Sequence, residues 1–96
     1  TALFAANDWI AIGLIQALKV RGVEIPEQLS VLGVDNISLA GEMTPELTTY
    51  SLDANVMTAE CFALLDAVEQ NNGLWNSKKV ILQPMLITRD TLRQRK

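Results

Sequence analysis

Ninety-six residues, 49% apolar and 20% charged, describe one small packing unit or a piece of a larger one, and they exclude a disordered tail. The net charge of −3 hides a gradient, with two basic groups against ten acids up to residue 77 and six against one beyond it. Histidine is absent and Cys61 is the one cysteine, which excludes Ser-His-Asp and Cys-His catalysis within the chain, a disulfide framework and zinc-ligand spacing.

Thr1-Ala2-Leu3-Phe4-Ala5-Ala6 has neither an initiator methionine nor the basic region of a signal peptide, and reads as a buried strand, Leu3–Ala5, continuing from upstream chain. Asn7 or Asp8 offers a side-chain oxygen to cap a helix from about Asp8 to Arg21. Gly22, a favoured residue just past a helix end, and then Pro26 stop it. Leu29–Val34 is a second strand ending at Asp35. Residues 37–43 form a short irregular or one-turn helical piece, and Thr44-Pro45 marks a turn. Leu47–Tyr50 is β-prone. Asp53 caps a second long helix to about Gln70, which Asn71-Asn72-Gly73 ends. Two short strands, Lys79–Leu82 and Met85–Thr88, flank Pro84. Strands alternating with helices predict an α/β layer with parallel strands. No apolar run approaches the roughly 20 residues of a membrane helix. Arg93-Gln94-Arg95-Lys96 reads as a solvated basic tail, because without interleaved aromatics it makes a poor surface for nucleic acid.

The two helices differ. On the second, Met57, Cys61, Leu64, Leu65 and Val68 share one arc, as expected of an amphipathic helix on a sheet, with Cys61 a core residue rather than a nucleophile. The first is apolar nearly all round. Ile10, Leu14, Ala17 and Leu18 are expected to cover the sheet. Trp9 and Ile12 fall opposite, beside Gln16 and Lys19, covered either by a second layer of the same chain or by another subunit.

No Gly-rich phosphate loop and no marked carboxylate pair is present. Position carries the signal instead. Asn7 and Asp8 lie where the first strand gives way to a helix, and Asp35 directly follows the second strand. Ligands of open α/β sheets bind outside the carboxyl ends of the strands. Carboxylate and amide side chains there suit sugar hydroxyls or the ribose of a nucleoside. Capping explains one of Asn7 and Asp8 without any ligand, and a turn explains Asp35.

Four segments then become recognisable. Phe4-Ala5-Ala6-Asn7-Asp8-Trp9-Ile10-Ala11-Ile12-Gly13 resembles the "F-x-x-N-D-x-x-A-x-G" segment of LacI/GalR-family transcriptional regulators. Arg21 to Asn36, with Ile25-Pro26, Leu29-Ser30-Val31 and Gly33-Val34-Asp35-Asn36, resembles their "G-x-x-[IV]-P-x-D-[IV]-S-[VI]-x-G-[FY]-D-[DN]" segment. Thr44-Pro45-Glu46-Leu47-Thr48-Thr49 is similar to "T-P-x-L-T-T", and Leu86-Ile87-Thr88-Arg89-Asp90-Thr91 to the closing "L-[IV]-x-R-x-[ST]". Together they cover nearly the whole chain. Tyr50-Ser51-Leu52-Asp53 stands where the family often has Gln-Pro, and Val34 replaces the usual aromatic.

The resemblance implies part of a two-lobed, periplasmic-binding-protein-like sensor of α/β fold, at the C-terminal end of the effector-binding domain. Residues 1–49 would belong to the C-terminal lobe and 50–52 (Tyr50, Ser51, Leu52) to a hinge crossover. Residues 53–88 would belong to the N-terminal lobe, and 89–96 to a return segment and basic tail. It implies effector contacts at Asn7, Asp8 and Asp35. It places a dimer interface on Trp9, Ile12, Gln16, Leu39 and Met43, in a homodimer or higher homo-oligomer. The implied whole is a cytoplasmic regulator, a repressor rather than an enzyme, with no cofactor and no metal. It would respond to a sugar or nucleoside-like effector and reach operator DNA through an N-terminal helix-turn-helix outside this chain. The alternative is an extracytoplasmic sugar-binding protein of a transport system.

Overall fold

The computed structural model describes residues 1–75 and 78–94. They fall into two units, the first comprising residues 1–51 and the chain from 85 onward, the second 52–84. The first is built on strand β1 (Ala2–Phe4), helix α1 (Asp8–Val20), strand β2 (Ser30–Val34), a 3-10 turn (Ser38–Gly41), strand β3 (Thr48–Ser51) and strand β4 (Met85–Ile87). The sheet order is β1-β2-β3-β4. β1, β2 and β3 run parallel, with Leu3 opposite Val31 and Gly33 opposite Thr49, while β4 is antiparallel to β3, with Leu86 opposite Tyr50. The expected parallel α/β layer is present, closed on one side by an antiparallel strand.

α1 begins and ends where its caps dictate. Asn7 Oδ1 accepts the Ile10 amide at 2.9 Å, satisfying one of the donors that a helix start leaves open. At the other end Gly22 has φ +73°. Its N–H reaches the Lys19 carbonyl and the Val23 N–H that of Leu18, the paired closure that a left-handed glycine permits.

The buried face of α1 is Asp8, Ala11, Ile12 and Ile15, and it packs on β2 with Ala5, Val31, Ala40 and Leu47 as the core of the unit. This corrects the expected rotation. Leu14 and Leu18 are half-buried and Ile10 and Ala17 exposed, whereas Ile12 is core rather than outer face. A burial face chosen by hydrophobicity excludes an aspartate. Here Asp8 is wholly buried, so the true i, i+3, i+4, i+7 stripe is centred one residue pair away from the apolar arc.

The chain after β4 is stitched between the starts of β2 and β3. Thr91, wholly buried, gives its carbonyl to the Val31 N–H at 2.8 Å. Its hydroxyl accepts the Thr48 amide at 2.9 Å and donates to the Val31 carbonyl at 2.7 Å.

The second unit holds helix α2 (Ala54–Gln70), capped by Asp53, whose carboxylate accepts the Asn55 and Val56 amides. α2 buries none of its residues. Cys61 is exposed, not core as expected, because the described residues of this unit contain no strand for the apolar arc to lie on. Lys79–Leu82 is correspondingly not a strand. Its backbone has no ladder partner among the described residues of the unit, and a β-prone run without a neighbour forms no sheet. Of the expected basic tail, Arg95 and Lys96 lie outside the described residues. Among those residues no helix is long and apolar enough to cross a membrane.

Candidate functional site at the carboxyl edge of the sheet

β1 and β2 both run out toward one edge, β1 into Asn7 and β2 into Asp35. Between these two polar residues lies a buried carboxylate. Asp8 Oδ1 accepts the Thr49 hydroxyl at 2.6 Å and Oδ2 accepts the Ile37 amide at 2.9 Å. Both are short enough for charge-assisted bonds. Asp8 is therefore not a ligand contact: it is sealed from solvent and both oxygens are engaged. Its work is to tie α1, the loop after β2 and β3 to one point. Gly33 makes room for it, since a Cβ there would collide with Asp8 Oδ1 and stand 3.1 Å from Leu47 Cδ2. The single glycine of Leu32-Gly33-Val34 thus serves a close approach of side chain to backbone.

Asn7 and Asp35 remain available at the edge. Asn7 is half-buried, and with Oδ1 committed to the cap its amide NH₂ is the group it can turn to a ligand. Asp35 is exposed and has φ +116°, followed by Asn36 at +54°. Asparagine tolerates the left-handed region, but an aspartate at +116° stores strain of about 1–3 kcal/mol and needs its surroundings to hold it. Those surroundings are explicit. The Asp35 N–H donates to the Tyr50 carbonyl at 2.8 Å, the Asn36 N–H to Thr49 Oγ1 at 3.4 Å, and the Asn36 side-chain oxygen accepts from Arg89 Nη2 at 2.7 Å.

Tyr50 and Ser51 are ladder residues of β3, paired with Leu86 and Met85. The chain leaves the first unit after Ser51 and is back in it at Met85. That return precedes the expected boundary at residue 89, because the β3–β4 ladder already holds residues 85–87.

On the outer surface of α1, Trp9 is 64% exposed, Ile10 54% and Val20 88%, with Gly13, Gln16 and Ala17 also exposed. Of the other expected interface positions, Leu39 is partly open at 37%, whereas Met43 is half-buried against the unit's own core. An open depression of about 670 Å³ lies at the far end of α1, lined by Lys19, Glu24, Glu27 and Pro45 among others. A 13-residue helix puts it roughly 20 Å from Asn7, so it has no part in the strand-end site. Sequence reasoning missed Thr49, Asn36 and Arg89. All three stand inside recognised segments, but only pairing in space shows what they touch.

With this geometry established, comparison with known proteins defines the class. Residues 1–92 match the family described as periplasmic binding protein-like domain, and the chain belongs to it. Among relatives, the HTH-type transcriptional regulator DegA of Bacillus subtilis (strain 168) is 40% identical over 90 residues, covering 93% of this chain and 26% of DegA. The HTH-type transcriptional repressor PurR of Vibrio vulnificus (strain CMCP6) is 37% identical over 95 residues, covering 98% of this chain and 28% of that repressor. The solved structure of a LacI family transcriptional regulator from Enterococcus faecium with bound ribose superposes with a TM-score of 0.78 at 31% identity, covering all of this chain and 35% of that one. The chain thus spans between about a quarter and a third of the length of these relatives.

Proposed function

We propose that this chain is the C-terminal part of the effector-binding domain of a cytoplasmic LacI-family repressor, contributing one wall of the effector cleft and the subunit interface. The observation that carries the reading is the placement of Asn7 and Asp35 at the carboxyl edge of parallel strands, with the loop after Asp35 tied through the Ile37 amide to the buried Asp8 that follows Asn7. An amide donor and a carboxylate acceptor following neighbouring strands suit the hydroxyls of a sugar, and the Enterococcus faecium relative holds ribose. The first unit then corresponds to the C-terminal lobe, the second to part of the N-terminal lobe, and the crossings beside Ser51 and Met85 to hinge strands. An effector acts by binding one lobe arrangement better than the other. Two subunits joined through Trp9, Gln16 and Leu39, together with Ile10, Ala17 and Val20, place paired helix-turn-helix modules on two half-sites. The relatives named above are transcriptional regulators, which favours this reading over a transport component.

The test is calorimetric titration of the intact protein with D-ribose, other pentoses, hexoses and disaccharides. Wild type is expected to bind at least one of them. Asp35→Ala is expected to weaken that binding at least tenfold while operator DNA is still bound. Unchanged sugar affinity in Asp35→Ala would refute the assignment of the site.

A further inference from the structure

Arg89 does something the effector-cleft reading does not require of it. Its backbone N–H is fixed to Thr48 Oγ1 at 2.9 Å. From there the guanidinium forks. Nη1 donates to the Leu47 carbonyl at 2.8 Å, and Nη2 to Asn36 Oδ1 at 2.7 Å. The group is half-buried and fits closely beneath the 3-10 turn, where a methyl on Gly41 would stand 3.5 Å from Nη2. A planar fork makes both bonds from one position, whereas the single ammonium of lysine does not.

We infer that Arg89 is a positioning residue for Asp35: by holding the Asn36 side chain, it keeps the strained Asp35-Asn36 pair in the conformation that presents the Asp35 carboxylate to a sugar-like ligand. This rests on the strand-end site described above. Three consecutive amides, of Asp35, Asn36 and Ile37, find acceptors on Tyr50, Thr49 and Asp8. Those ties come from the chain before it leaves the unit. Arg89 supplies, among the described residues, the tie from the chain after it returns. The loop is thereby clamped between both crossings, and its geometry follows the position of the returning segment.

The experiment uses the intact protein and two readouts. The first, hydrogen–deuterium exchange without any sugar, follows residues 34–37 and, as a control, Ala11–Ile15 of α1. Arg89→Met and Asn36→Ala are each expected to speed exchange at 34–37 at least tenfold with α1 unchanged. The double variant should add nothing further, and Asn36→Asp, which keeps the acceptor, should retain protection. Unaltered exchange at 34–37 in Arg89→Met overturns the inference, as does an equal loss across α1, which would mark a general structural role. The second readout is titration with D-ribose, or with whichever sugar of the panel wild type binds. Arg89→Met is expected to lose at least fivefold in affinity and Asn36→Asp to keep it. A loosened loop with unchanged affinity overturns the positioning role. Failure of wild type to bind any sugar would instead sink the sensor reading, while the exchange data still decide whether Arg89 holds the loop.

Discussion

Gly33→Ala isolates the buried carboxylate on which the site is hung. The added Cβ collides with Asp8 Oδ1, and its other near neighbours are Leu47 Cδ2 at 3.1 Å and Asp8 Cγ at 3.4 Å. Gly33 sits in β2 opposite Thr49, so the backbone cannot retreat without breaking the ladder. Asp8 must move instead. Doing so weakens its bonds to the Thr49 hydroxyl at 2.6 Å and the Ile37 amide at 2.9 Å. A hydrogen bond to a charged group contributes about 1.5–3 kcal/mol, and overpacking a filled core costs about 1–3 kcal/mol. Loss of one bond with partial overpacking comes to about 4 kcal/mol. Asp8→Ala alone is expected to cost about 3 kcal/mol, chiefly because the Ile37 N–H loses its acceptor; the Thr49 hydroxyl still has the Tyr50 carbonyl at 3.3 Å. In the double variant the methyl introduced at position 33 occupies the vacated volume. The additional cost of Gly33→Ala should then fall to about 1 kcal/mol, a coupling of about 3 kcal/mol. Urea unfolding of the intact protein and the three variants measures this. Equal costs of Gly33→Ala with and without Asp8 would show that the glycine serves some other purpose.

Two further substitutions test other parts of the fold. Thr91→Val keeps the shape but strips the Thr48 amide of its acceptor and the Val31 carbonyl of a donor; it should cost about 2–3 kcal/mol, against about 1 kcal/mol for Thr91→Ser, which keeps both bonds. Thermal melting that ranked Thr91→Ser below Thr91→Val would contradict the hydroxyl's role. Trp9→Glu is expected to yield folded monomers in sedimentation, since it places a charge in the apolar contact proposed between subunits, whereas Ile12→Glu should unfold the protein, because Ile12 lies in its core. A Trp9→Glu protein that still sediments as a dimer refutes the proposed interface.

What was legible in the sequence was local. The cap at Asn7 or Asp8, which the structure assigns to Asn7, the Gly22 stop and the Asp53 cap act within a few residues of themselves, so α1 and α2 are found with nearly the right ends. The strand ends at Ala5 and Asp35 follow from the same punctuation, and with them the edge where Asn7 and Asp35 stand. What failed depended on long-range satisfaction. The rotation of α1 turns on a hydroxyl from Thr49 and an amide from Ile37 drawing Asp8 inward, and no hydrophobic periodicity encodes that. The misplaced core role of Cys61 has the opposite cause. Its amphipathic pattern is real, but the surface it was expected to cover is not part of this unit.

The two polar dipeptides at the strand ends repeat one arrangement. In Asn7-Asp8 the first residue stays toward the edge and the second is buried; in Asp35-Asn36 the first is exposed and the second is gripped by Arg89. Neighbouring residues diverge in direction both on a helix and in a turn, so a pair of adjacent polar groups can serve the ligand and the fold at once. The two dipeptides meet at Thr49, whose hydroxyl donates to the Asp8 carboxylate and accepts from the Asn36 backbone N–H. On the proposed reading, substitution of an outward member is expected to change affinity with modest loss of stability, about 1 kcal/mol at Asn7 for the cap alone. Substitution of Asp8 releases the Thr49 hydroxyl and the Ile37 amide together, whereas substitution of Asn36 releases the grip of Arg89. Under the proposed function, such a site changes its ligand by drift at Asn7 and Asp35 while Asp8, Gly33 and Thr49 hold the wall in place.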